Sequence, residues 1–166
     1  TGTLTVGEMT ARQLMTAEDI YTLYGGGEHL SGQFVCKGQH VIASDDHLLL
    51  AVLRAAVACN NAEMIPHHRL SAVGDPTEVA LLVAAAKASI WRKELEVLSP
   101  RIKELPFDSE RKRMTVVCQA SNQLHAYTKG APEVILGRCS HILTRDGIKI
   151  LTPDDRARMQ QSYQSM

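Results

Sequence analysis

The chain has 166 residues, with 18 Lys and Arg balancing 18 Asp and Glu, and 45% of its residues are hydrophobic. That length suits one domain with a buried core, and the composition excludes a disordered chain. Zero formal charge argues against a nucleic-acid or membrane-surface binder, since both need a broad basic field.

With 4% aromatic residues the core must rest on Ala, Leu, Val and Ile. The longest apolar run, Val79 to Ala86, falls well short of the about twenty residues that span a bilayer. Thr1 to Thr5 offers neither a basic nor an apolar region, so no secretory signal is expected there. Cys36, Cys59, Cys118 and Cys139 show no CxxC spacing, which fits reduced thiols better than a disulfide frame.

In chain order, the stretch to Cys36 predicts short strands and loops, with Ile20 to Tyr24 as a strand broken by Gly25-Gly26-Gly27. Asp45-Asp46 predicts the cap of a helix from about His47 to Asn60, where Leu49, Val52, Leu53, Ala56 and Val57 recur at helical spacing. A loop through Pro66-His67-His68 follows. Asp75 and Pro76 predict the N-cap and first position of a second helix, and Glu78, three residues on, predicts a capping box. This helix, reaching about Ile90, is apolar on most faces and is expected to be buried. Trp91 to Leu98 reads as a short polar helix ended by Ser99-Pro100.

Three strands are then expected at Ile102 to Phe107, Met114 to Gln119 and Leu124 to Thr128, the last two joined by a hairpin turn at Ser121-Asn122. Pro132 opens a helix to about Arg138, Ile142 to Leu151 forms a hairpin around Asp146-Gly147, and Thr152-Pro153-Asp154 starts a final helix still running at Met166. The fold class predicted is α+β, an antiparallel β-sheet flanked by helices.

No GxxxxGK[ST] loop is present, and Gly25-Gly26-Gly27 does not continue into GxGxxG. Seven histidines include no HExxH; Cys36 and His40 could share a metal, but no second pair stands at a convincing spacing. No metal site is expected.

Four segments carry the functional signal: Thr1-Gly2-Thr3-Leu4-Thr5, Gly74-Asp75-Pro76-Thr77-Glu78, Pro106 to Met114 (PFDSERKRM) and Lys129-Gly130-Ala131-Pro132-Glu133. Read physically, Phe107 ends a strand where a ring could stack on a base, which contributes about 1–3 kcal/mol where it occurs. Lys112 and Lys129 suit anionic oxygens, and Gly130, lacking a Cβ, lets backbone approach a ligand closely. Each also has a bland reading: a buried Phe, solvated lysines, and a helix-start carboxylate for Glu78. Capping alone explains Asp75.

In this order and spacing the four segments resemble the P-type cation-transporting ATPases, most closely the calcium-pump-type branch. The resemblance implies that residues 9–166 are the nucleotide-binding domain, truncated at its C-terminus. Residues 1–8 would be a remnant of the phosphorylation-domain loop and hinge. It implies that Phe107 stacks on adenine, that Glu78 accepts from the adenine amine, that Lys129 and Gly130 line the pocket floor, and that Lys112 reaches the phosphates. Ser109 stands where some calcium pumps carry a phosphate-contacting arginine; it can donate a hydrogen bond but cannot neutralise charge.

The resemblance further implies ATP as ligand, with Mg2+ held mainly by other parts of the pump. The phosphorylation and actuator domains would be its partners, and the setting the cytoplasmic side of an integral membrane protein. The phosphorylated Asp of DKTGTLT would stand two positions before Thr1, so this stretch alone is expected to hydrolyse nothing and to be monomeric. The alternative is a non-enzymatic regulatory or interaction domain that retains the fold.

Overall fold

A computed structural model describes residues 9–25, 32–66 and 70–166. The sequence expectations for residues 1–8, for Gly26-Gly27 and for His67-His68 lie outside the described residues. Among the described residues antiparallel strands and five α-helices make up the fold, in agreement with the α+β expectation, but the strands fall into four small sheets.

The first sheet is a meander of β1 (Gln13–Met15), β2 (Ile20–Tyr24), β3 (Gln33–Cys36) and β4 (Gln39–Val41). Alternation sets its inner face: Tyr21, Leu23 and Phe34 are buried, while Ile20 and Tyr24 are exposed. Helix α1 (His47–Ala58) and helix α2 (Pro76–Ala86) complete this core with Leu49, Leu53, Val57, Leu82, Ala84 and Ala85. Each buried Leu or Val there contributes about 1.5–3 kcal/mol.

Both helices start as predicted. Asp46 accepts from the Leu48 and Leu49 amides, and Asp75 from those of Thr77 and Glu78. Helix α1 stops at Ala58, two residues before the expected end, because Cys59 and Asn60 leave helical geometry for buried tertiary contacts. On either side of the expected loop, two strands not expected from the sequence, β5 (Glu63–Pro66) and β6 (Leu70–Val73), pair antiparallel.

Helix α3 (Arg92–Leu98) leads into the three-stranded sheet of β7 (Arg101–Asp108), β8 (Arg113–Ala120) and β9 (Gln123–Gly130), each strand slightly longer than predicted. Ser121 and Asn122 make the tight β8–β9 turn, both left-handed at φ 46° and 63°, as a two-residue hairpin of this hand requires. The inner face of β8 carries Met114, Val116 and Cys118, which bury against Cys59 and Tyr127. Helix α4 (Pro132–Arg138), the hairpin β10 (His141–Thr144) and β11 (Gly147–Ile150), and helix α5 (Pro153–Gln164) close the chain. Thr152 and Asp155 cap α5 reciprocally, and the helix ends at Gln164 instead of running through Met166.

An ionic clasp ties the last hairpin to the first sheet. Arg145 donates to Asp19 at 2.6 Å and to Glu18 at 3.1 Å, and Lys37 pairs with Asp19 at 2.6 Å. Tyr21 donates to Asp46 at 2.5 Å, joining the clasp to the cap of α1.

The Asp19 carboxyl, 1% exposed, lies below its usual range because of the hydrogen bond from Lys37, then Arg145, both against the cost of burial. A lowered carboxylate stabilises the fold fully above its unfolded value of 3.8 and loses that contribution as pH falls through the lower folded value. Asp46 and Asp155 are shifted the same way. Urea midpoints should therefore drop steeply below about pH 4. Asp19→Asn should lower the midpoint at pH 7 and flatten part of the acid limb; an unchanged limb would contradict the clasp.

Candidate functional site

The residues singled out from the sequence converge at one end of the β7–β8–β9 sheet. Register opposes Met114 to Lys129, and Asp108 to Arg113. Between Leu105, opposite Thr115, and Asp108 the β7 register shifts, so Pro106 and Phe107 together face Met114. Such a bulge re-aims a side chain. It sets Phe107, Met114 and Lys129 in one row across three strands. Phe107 is 65% exposed, so the bland reading of a core phenylalanine does not hold.

The β7–β8 turn is built by Asp108, whose side chain accepts from the Glu110 and Arg111 amides at 3.0 and 2.8 Å. Lys112 closes it at φ 51°, a left-handed conformation that few non-glycine residues adopt. Ser109 and Lys112 are exposed on this turn, and Lys112 forms no ion pair among the described residues. Arg111 donates back to the Pro106 carbonyl and Arg113 to that of Arg111. The Arg113 guanidinium is pushed below its usual value by desolvation and then by the positive charges of Arg138 and Arg111. Positive potential is therefore dense here despite the neutral chain.

Glu78 reaches this end from α2. The predicted capping box is not formed: one Glu78 oxygen takes the Lys129 ammonium, and the other accepts from the Asn61 amide at 3.1 Å. A tertiary cation has displaced the local partner. Glu78 and Lys129 are 14% and 30% exposed in their side chains. Their pairing leaves two ammonium protons and spare carboxylate lone pairs for a ligand.

Gly130 also has a packing reason. A Cβ there would collide with the Lys112 carbonyl and approach Arg113 Cβ to 2.6 Å, so glycine is demanded by the adjoining β8 turn. The Ala131 amide donates to that same Lys112 carbonyl at 3.0 Å, locking the turn onto the end of β9. Sequence reasoning missed the residues behind Glu78: Asn60, Asn61, Arg92, Arg101 and Glu104. An Asn-Asn pair directly after an apolar helix was the one available signal.

A ring, an acceptor-only carboxylate and several cations on one open surface can hold a flat base with an amine and a chain of anionic oxygens. In that sense the residues present fit a nucleotide. None of the candidate residues lines the cavity of about 40 Å³ between α1, α3 and the start of β7. It has room for a few waters. No group of three or more metal-ligating side chains occurs among the described residues, and no described helix is long and apolar enough to cross a membrane.

Known proteins match along the same stretch. Residues 49–166 match the family model of the P-type ATPase cytoplasmic domain N. Calcium-transporting ATPase 1 of Bacillus cereus is 39% identical over 69% of the chain, which covers 13% of that protein. Calcium-transporting ATPase 1 of Lactococcus lactis is 32% identical over 96% of the chain and 16% of its own length. The mouse calcium-transporting ATPase type 2C member 2 is 33% identical over the whole chain and 18% of its own length. The chain thus spans less than a fifth of each of these relatives.

Two substitutions check the geometry. Gly130→Ala should lower unfolding stability by about 1–3 kcal/mol through the clash with β8, whereas Gly137→Ala, which meets nothing within 4 Å, should not. Equal urea midpoints for the two variants would contradict the packing described.

Proposed function

The chain belongs to the P-type ATPase family as its cytoplasmic domain N, of the calcium-pump type, and we propose that it binds ATP and presents it for phosphoryl transfer. The observation that supports this best is the row of Phe107, Met114 and Lys129 closed by Glu78. Phe107 offers its exposed face for stacking on adenine. Glu78, which can only accept, selects the exocyclic amine. Lys129 and Gly130 form the floor beneath the base, and Lys112, with Arg111 and Arg113 adding potential, attracts the phosphates. Ser109 can add one hydrogen bond from the turn.

ATP supplies the transferable γ-phosphoryl group, with Mg2+ accompanying it. The chain's own contribution is binding and orientation, which is most of what phosphoryl transfer asks of a protein. In the reading proposed, residues 9–166 are the nucleotide-binding domain and residues 1–8 the approach to the phosphorylation domain. The acceptor Asp and the ion path belong to other parts of a membrane-embedded calcium or cation pump. The phosphorylation and actuator domains are the partners of this one, and the isolated domain hydrolyses no ATP.

Calorimetric titration tests the reading. The wild-type chain should bind ATP weakly. Phe107→Ala should weaken that binding by about 1–3 kcal/mol, with little loss of stability because the ring is exposed, and Ser109→Ala should weaken it far less. Equal losses would place the base elsewhere. No heat and no spectral change with millimolar ATP would favour a regulatory domain that keeps the fold.

A further inference from the structure

We infer that Asn60 and Asn61 are positioning residues for the nucleotide site: they fix the carboxylate of Glu78 so that it reads the base. This rests on the ATP-binding reading above and adds a set of residues behind it.

Asn60 is fully buried, and both polar atoms of its side chain and its own carbonyl are engaged. Its Nδ2 donates to the Glu78 carbonyl at 2.9 Å, and its Oδ1 accepts from the Ala62 amide at 2.9 Å and from Arg92 at 3.4 Å. Its own carbonyl accepts from Arg92 and Arg101, both at 2.7 Å. Asn61 then supplies the backbone amide that holds Glu78 Oε2 at 3.1 Å. The Asn61 side chain is clamped from both sides, accepting from Arg101 at 2.7 Å and donating to Glu104 at 2.8 Å. Arg101 also donates to Ala58, the last residue of α1.

One dipeptide thus joins α1, α2, α3 and β7 to the carboxylate that meets Lys129 on β9. Both the backbone and one oxygen of Glu78 are held, so the second oxygen has a single direction. The Asn61 amide also shares the negative charge of Glu78. Without these contacts Glu78 and Lys129 would keep their charges but lose their aim. A buried side-chain amide satisfied at both its oxygen and its nitrogen specifies one arrangement in this way.

The test compares ATP with inosine triphosphate, which carries an oxygen where ATP carries the amine. In wild type the carboxylate should favour ATP by about tenfold or more, the effect of one charge-assisted hydrogen bond. Asn60→Asp keeps the size and the acceptor, and Arg92 and Arg101 compensate its charge, but it replaces the donor to the Glu78 carbonyl with an oxygen. The preference should shrink to about twofold. Arg101→Lys keeps the charge but loses the fork that clamps Asn60 and Asn61, and should shift the ratio the same way to a smaller extent. A merely structural network would lower urea midpoints and leave the ratio of the two affinities untouched in the folded protein; that result overturns the positioning role alone. Wild-type protein that binds neither nucleotide overturns the site itself, and with it this inference.

Discussion

A buried asparagine holds the candidate site in place. Asn60 has no exposed surface, and an amide in that setting must find partners for every polar atom or cost about 1–3 kcal/mol for each one left unmet. Its side chain and carbonyl find partners on four segments: the start of α2, the Ala62 amide, and the two guanidiniums of Arg92 and Arg101. The end of α1, the first turn of α2 and the sheet must therefore come together at one point. Asn60 and Asn61 hold Glu78 at the start of α2, where Lys129 at the end of β9 meets it.

Around that point the chain separates two jobs. The apolar core lies between the first sheet and the two helices, built from Leu, Val and Ala around the buried rings of Tyr21 and Phe34. The three-stranded sheet buries little beyond Met114, Val116 and Cys118, which frees its end for exposed Phe107 and for the cationic turn. Neutral overall charge is compatible with this placement. Carboxylates such as Asp19, Glu104 and Asp155 are spent on internal ion pairs, while Lys112 stands exposed on a turn between Arg111 and Arg113.

Much of this was legible wherever the determinants are local. Asp46, Asp75 and Thr152 mark helix starts because a cap needs only the next two or three amides. Ser121-Asn122 and Gly147 mark hairpins because left-handed backbone favours few residue types. The sequence misled where a distant partner outcompeted a near one. Glu78 was expected to close a capping box with Asp75 and instead faces Lys129, 51 residues away. The β5–β6 hairpin was hidden by Pro66, which reads as loop chemistry but stands at the end of a strand. The importance of Asn60 rests on partners 18 and 41 residues distant, and no spacing rule reports those. Phe107 and Lys129 were found through the motifs they sit in; that they share a row depends on a bulge that only the strand register shows.

The central claim is that Phe107, Lys129 and Glu78 form one nucleotide surface at the end of this sheet. The most direct measurement is an amide correlation spectrum of the 15N-labelled chain titrated with ATP. The account predicts saturable shifts confined to the start of α2, the segment from Phe107 to Met114, and Lys129 to Ala131, with the first sheet and α5 unmoved. Shifts clustered around Arg54, Arg92 and Cys118, or none at all at millimolar nucleotide, would contradict it.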